Sequence, residues 1–320
     1  MKIFVTRKIP QKGLDILSKE FEVEVFEGDE PISKEELIKR AKDCDGLLSL
    51  LSDPIDEEVI DQTGIKAIAN YAVGYDNIAV ATATKRKIPV TNTPGVLTEA
   101  TADLTFALIL AVSRRIVEAD KYLRSGKWTG WGPILLLGGD FANKTIGIIG
   151  LGRIGTAVAR RAKGFGMNIL YYGREPKTEI ENELGAKWVP FDQLIEESDY
   201  ITLHVPYTSE THHLLGITEF EKMKSSAYLI NTARGKVVNE EELISALANN
   251  LIAGAGLDVF YNEPEINPEL IKLDNVVAVP HIGSASLETR TNMSVMVAED
   301  LIAALKGEKP TNIVNPEIYQ

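Results

Sequence analysis

Short apolar runs alternate with helix-length amphipathic stretches from one end of this chain to the other. In the first third the runs fall at residues 2–5, 22–26, 46–50, 67–69 and 89–91. Helical patterns lie between them, as at residues 33–41, where Ser33 and Glu36 have the spacing of a capping box. A long helical pattern follows at residues 98–125, then a loop rich in Gly, Trp and Pro at 126–140. A second series of runs occupies 145–149, 168–172, 200–203, 227–231, 253–258 and 276–279. A helix near 286–306 and an extended tail close the chain. This alternation predicts an α/β protein with two doubly wound parallel sheets, divided near residues 94–98. The pattern alone leaves open which unit the last helix joins.

Length agrees with two units, since 320 residues is long for one domain and comfortable for two. The charge narrows the partners. With 34 Lys and Arg against 46 Asp and Glu, the net charge of -12 argues against nucleic acid or an anionic membrane as the main partner. A local basic pocket for an anionic ligand stays compatible with it. Cys44 is the only cysteine, so an internal disulfide and a Cys-based metal cluster are excluded, and no metal site is expected. The opening residues 1–7 read as a strand rather than a signal peptide. The most apolar stretch, 104–112, is far short of the about 20 residues needed to span a bilayer. The expected location is the cytoplasm.

Candidate chemistry begins at Gly150-Leu151-Gly152-Arg153-Ile154-Gly155. A lone G-x-G-x-x-G is weak evidence, but this one follows a buried strand, opens a helix at residues 154–163 and leads to a second strand. Gly150 permits the tight turn, Gly152 lets backbone approach a pyrophosphate, and Gly155 lets helix and strand pack closely. The phosphates then sit at the positive end of the helix. The loop predicts a nicotinamide dinucleotide used for hydride transfer. At the end of the second strand stands Gly173-Arg174-Glu175-Pro176-Lys177. An NAD site usually carries an acid at the first of these positions, and here Arg174 and Lys177 suit a 2′-phosphate instead. NADP is favoured over NAD, although Glu175 remains able to serve NAD.

Three polar residues follow strand ends, where open α/β sheets bind ligands. Arg234 follows the run at 227–231, Glu263 the run ending at Asp258, and His281 the run ending at Val279. Reduction of a 2-keto acid needs a cation for the carboxylate, which Arg meets with paired hydrogen bonds. It needs a proton donor, and His titrates near working pH. It also needs a carboxylate to fix the His tautomer. The triplet supplies one of each. Of the other histidines, His204 ends a buried strand, where a structural role and a cofactor contact are equally compatible, and His212 and His213 lie in a polar turn.

At these residues the chain resembles the D-2-hydroxyacid dehydrogenase family, in its glyoxylate/hydroxypyruvate reductase branch, over essentially its full length. The quotable motifs are Asn70-Tyr71-Ala72-Val73-Gly74-Tyr75-Asp76-Asn77, Ala100-Thr101-Ala102-Asp103, the glycine loop, Ala233-Arg234-Gly235, Gly256-Leu257-Asp258-Val259, Asn262-Glu263-Pro264 and Pro280-His281-Ile282-Gly283-Ser284-Ala285. The resemblance implies a Rossmann dinucleotide-binding domain at 98–286 and a flavodoxin-like substrate domain at 1–97, completed by 287–320. It implies NAD(P)H-dependent reduction of glyoxylate or hydroxypyruvate to the D-2-hydroxy acid. His281 is then the acid/base, Glu263 its partner and Arg234 the carboxylate anchor. Backbone amides of Val73 and Gly74 bind the substrate, and Leu50 lines its pocket. Thr101, Leu151, Gly152, Arg153, Ile154, Gly173, Arg174, Glu175, Thr232, Ala233, Asp258 and Gly283 match cofactor contacts. Trp131 resembles a tryptophan that some reductases send into the neighbouring subunit's substrate site, and a homodimer is implied. Gly173 stands where NAD-preferring members carry Asp, and Gly95 where an Asp is common. Two other readings remain: a D-3-phosphoglycerate dehydrogenase, and a non-catalytic dinucleotide-sensing protein on the same fold.

Overall fold

A computed structural model of the chain describes residues 1–28 and 30–320. It contains two compact units, Met1–Leu97 with Ser284–Gln320, and Thr98–Gly283. The second crossing thus falls three residues before 287.

The first unit carries β1 (Lys2–Val5), β2 (Glu22–Val25), β3 (Gly46–Ser49), β4 (Ala67–Asn70) and β5 (Val90–Thr91). They form one parallel sheet in the order β2-β1-β3-β4-β5. The central strands β3 and β4 are buried along their whole length, as expected where helices cover both faces. One face packs Phe4, Leu47, Ile68 and Val90, and the other Ile3, Val5, Leu48 and Ala69. The helix Leu287–Leu305 lies on the second face through Val297, Ala298 and Leu301. It approaches the helix Gln11–Ser18 so closely that a Cβ on Gly13 would overlap Ser294. The tail beyond this helix then protects the sheet edge. Thr91 pairs antiparallel with Ile313, and the Val314 amide donates to the Val90 carbonyl at 2.7 Å. Gly95 takes a left-handed φ of 84°.

The second unit carries β6 (Thr145–Ile149), β7 (Asn168–Tyr172), β8 (Lys187–Trp188), β9 (Tyr200–Leu203), β10 (Tyr228–Asn231), β11 (Gly254–Leu257) and β12 (Val276–Ala278). All run parallel in the order β12-β11-β10-β9-β6-β7-β8. The chain winds outward from β6 to β8, returns, and winds the other way from β9 to β12. The switch between β6 and β9 opens a crevice at the carboxyl end of β6, the place where such sheets hold ligands. The two-residue β8 escapes sequence reading because both its residues are exposed and one is Lys, so it carries no apolar run.

Two local expectations are corrected. The helical pattern at 98–125 is broken into Thr98–Ser113 and Ile116–Arg124, with Arg115 at φ 53° between them. The Ser113 carbonyl is taken by the Gly139 amide at 3.0 Å, so the helical ladder is diverted there. At Ser33 the hydroxyl accepts from the Glu36 amide as a cap, but the Glu36 carboxylate faces Arg40 at 2.6 Å instead of reaching back. Among the described residues no helix is long and apolar enough to cross a membrane.

Candidate active site

The glycine loop follows β6 directly. Gly150 has φ 95°, and a Cβ there would lie 2.6 Å from the His204 carbonyl oxygen, so only glycine fits. Gly152 caps the helix Arg153–Gly164, and a Cβ on it meets nothing within 4 Å. A Cβ on Gly155 would overlap the Gly150 carbonyl oxygen, so this glycine sets the closeness of helix and strand. Open space above Gly152, at the amide end of a twelve-residue helix, fits a pyrophosphate. Leu151 is buried, and its carbonyl accepts from the Lys177 ammonium at 2.6 Å. Lys177 is thereby held against the glycine loop. Gly173 also faces open space, its carbonyl accepts from the Trp188 indole at 3.1 Å, and Arg174 and Glu175 beside it are exposed.

Four further residues expected at the cofactor meet in one buried network. The Thr101 hydroxyl donates to the Gly283 carbonyl at 3.2 Å, and Thr105, one turn on, contacts the Thr232 hydroxyl at 3.0 Å. Asp258 accepts from the Ile282 and Gly283 amides at 2.6 and 2.9 Å. Both its oxygens are therefore engaged by backbone, and they pin the turn just after His281. Ala233 and Arg234 sit on a turn clamped by Asn231, whose side chain accepts from the Ala233 amide and donates to the Arg234 carbonyl. Sequence reasoning gave Asn231 and Thr105 no role. Asn at a strand end is a turn signal that points to the first.

The triplet is brought together. His281 Nδ1 lies 2.7 Å from Glu263 Oε2, with both side chains a little under a third exposed. The other oxygen, Glu263 Oε1, accepts from the Phe260 amide at 2.9 Å. Burial works to raise the Glu263 pKa, but the His281 hydrogen bond and charge, the Phe260 amide and the Arg234 charge outweigh it. The carboxyl is held below its ordinary value and stays ionised at neutral pH. Glu263 thus engages Nδ1, the nitrogen on one side of the ring, and not Nε2. His281 has φ 51°, a left-handed conformation that costs a non-glycine residue about 1–2 kcal/mol. The two Asp258 bonds hold it there. Such strain, overdetermined by neighbours, clusters at functional sites.

His204 is a different case. Burial pushes its pKa down to about 3, so the ring is neutral, and Nε2 contacts the Thr202 hydroxyl at 2.9 Å. His212 and His213 are exposed and stack at 3.9 Å.

In the first unit, Leu50, Val73 and Gly74 lie on loops after β3 and β4. The Leu50 amide donates to Asp53 Oδ2 at 2.7 Å, and its carbonyl accepts from Asn77 at 3.0 Å. Asn92 holds the Val73 carbonyl at 2.7 Å and Asn70 the Gly74 carbonyl at 2.8 Å. The two loops are thus fixed through their carbonyls by three asparagines, Asn77 on the first and Asn70 and Asn92 on the second. Trp131 is 85% exposed in the second unit, so its own chain gives it almost no packing.

Residues 106–283 match the family described as D-isomer specific 2-hydroxyacid dehydrogenase, NAD binding domain. The chain belongs to the D-isomer specific 2-hydroxyacid dehydrogenases. It is therefore an oxidoreductase with a nicotinamide dinucleotide as cofactor. It is 55% identical to the glyoxylate reductase of Korarchaeum cryptofilum, over all of this chain and 97% of that one. Identity to the glyoxylate reductase of Pyrococcus horikoshii is 53%, with the same coverage. Among solved structures, the TT0316 protein of Thermus thermophilus superposes with a TM-score of 0.93 at 47% identity, covering 98% of this chain and 100% of that one. The NADPH-dependent glyoxylate/hydroxypyruvate reductase of Sinorhizobium meliloti, solved with NADP and malonate, gives 0.85 at 34%, covering 98% and 96%.

Proposed function

We propose that this dehydrogenase reduces glyoxylate and hydroxypyruvate to the corresponding 2-hydroxy acids, with NADPH preferred over NADH. The observation that carries the reading is the 2.7 Å His281–Glu263 pair, within electrostatic reach of Arg234. Relatives named glyoxylate reductase at over 50% identity support the substrate class. The reduced nicotinamide supplies the hydride when bound. Thr101, residues 151–154, Thr232, Ala233 and Gly283 would hold it, and Arg174 and Lys177 would supply the positive charge for a 2′-phosphate near Gly173. Arg234 binds the carboxylate by two parallel hydrogen bonds. The Val73 and Gly74 amides and the Leu50 side chain complete the substrate residues. His281 gives its Nε2 proton to the oxygen that becomes hydroxyl, and Glu263 stabilises the cationic ring and fixes its tautomer.

The exposed Trp131, with Ile134 and Leu137 beside it, supports a homodimer in which this loop meets a second copy. Steady-state assays with glyoxylate, hydroxypyruvate and 3-phosphohydroxypyruvate, each with NADPH and NADH, test the proposal. Preference for the phosphorylated acid identifies a phosphoglycerate dehydrogenase. Binding without turnover identifies a sensor, and NADH preference refutes the cofactor assignment.

A further inference from the structure

Among the described residues, the buried polar side-chain atoms that lack a hydrogen-bond partner are Nε and Nη2 of Arg7 and the hydroxyls of Thr91 and Thr93. Arg7 is the exceptional one. Buried donors in folded chains are nearly always paired. A guanidinium cannot shed its charge to escape the cost, as other groups do. Two shielded donors without an acceptor therefore mark a position kept for an acceptor from outside the chain.

The surroundings say which acceptor. Arg7 lies two residues beyond β1, and its neighbour Thr6 donates to Asp53 Oδ2 at 2.5 Å. The same Asp53 oxygen receives the Leu50 amide at 2.7 Å. Burial raises the Asp53 pKa, and the bonds from Thr6 and Leu50 and the Arg7 charge act against it. Arg7, Asp53 and Leu50 thus form one cluster over the carboxyl ends of β1 and β3, strands that are neighbours in the sheet. Asp53 is committed to Thr6 and Leu50 and leaves the two Arg7 donors open. Val73 and Gly74 follow β4, the next strand along. Adjacent strands are about 4.8 Å apart, so Arg7 starts about 10 Å from the Val73–Gly74 loop, with Leu50 between.

We infer that the Arg7 guanidinium receives the oxygen on C3 of a three-carbon 2-keto acid, and so sets the preference for hydroxypyruvate. This rests on the functional reading above. A substrate with its carboxylate at Val73 and Gly74 runs across Leu50 and presents its far end to Arg7. Glyoxylate has no atom there, and pyruvate has only a methyl group. The nearby Asp53 charge partly offsets that of Arg7, which suits a neutral hydroxyl over a second anion.

The test compares kcat/KM for hydroxypyruvate, pyruvate and glyoxylate in the wild type, Arg7→Met and Arg7→Lys. The ratio of hydroxypyruvate to pyruvate isolates the hydroxyl. It is expected to fall about tenfold to a hundredfold in Arg7→Met, the worth of one hydrogen bond from a charged donor. The thermal midpoint is expected to hold or rise, because two unpaired buried donors are removed. Lysine keeps the charge but loses the fork, and an intermediate ratio is expected. The Lys variant carries the comparison if the Met variant does not fold. A ratio within threefold of wild type in the folded variants, or an equal fall for all three substrates, overturns the assignment. A wild type that reduces none of the three refutes the functional reading before any variant is made, and the Arg7 assignment falls with it.

Discussion

Gly152 and Gly155 stand three residues apart in one loop, yet adding a methyl group to each should give opposite results. At Gly152 the backbone has φ -76° and ψ -160°, open to alanine, and the added carbon meets no atom within 4 Å. Two small terms act on stability. Lower chain entropy in the unfolded state favours alanine by about 0.4–1 kcal/mol. A poorer helix cap opposes it by a similar amount. Gly152→Ala should therefore unfold within about 1 kcal/mol of the wild type. The methyl group nevertheless fills the space that a pyrophosphate needs. Losing one or two amide bonds to a charged ligand weakens NADPH binding roughly ten- to a hundredfold or more. At Gly155 the same methyl overlaps the Gly150 carbonyl, and backbone cannot swing aside as a flexible side chain does. Overpacking costs about 1–3 kcal/mol, and this case belongs at the upper end. Gly155→Ala should lower Tm by roughly 5–10 °C. Thermal unfolding and an NADPH fluorescence titration on both variants read the two effects separately. Wild-type Kd in Gly152→Ala, or wild-type Tm in Gly155→Ala, refutes the reasoning.

Replacing His281 by Ala should reduce kcat about 10²–10⁴-fold while NADPH Kd stays within about threefold; near-wild-type kcat removes the proton-transfer role. Asp258→Asn places an amide donor against the Ile282 or Gly283 amide, so urea unfolding should show a loss of about 2–4 kcal/mol, with a fall in kcat as the His281 turn relaxes. On the alkaline side, burial pushes Tyr71 and Tyr200 up to about 12, so each holds its proton longer in the folded state than in the unfolded. Their stabilisation, about 2–3 kcal/mol each, is complete below pH 10 and lost as pH rises to 12. Urea midpoints across that range should fall steeply in the wild type and less steeply in Tyr200→Phe.

The parallel α/β class, the glycine loop and the three chemical types at strand ends are all legible in the order of residues, because each is local. Strand and helix periods repeat within a few residues, and Gly150, Gly152 and Gly155 answer to one turn and one helix end. The rest waits on packing between distant segments. The helical pattern at 98–125 reads as continuous, but a carbonyl at Ser113 captured by Gly139 ends the first helix. His281 and Glu263 lie 18 residues apart, and only the packing of their two strand ends brings them to 2.7 Å. Asp258 enters the sequence reading only through the resemblance, as a cofactor contact, and packing alone shows that both its oxygens also hold the turn just after His281. Nothing in the run from Val5 to Lys8 distinguishes Arg7 from a solvated arginine, because a missing partner is a property of everything around it. Hydrogen-bond pairing of buried polar groups joins residues far apart in the chain. It is settled only when the sheets and their covering helices have packed.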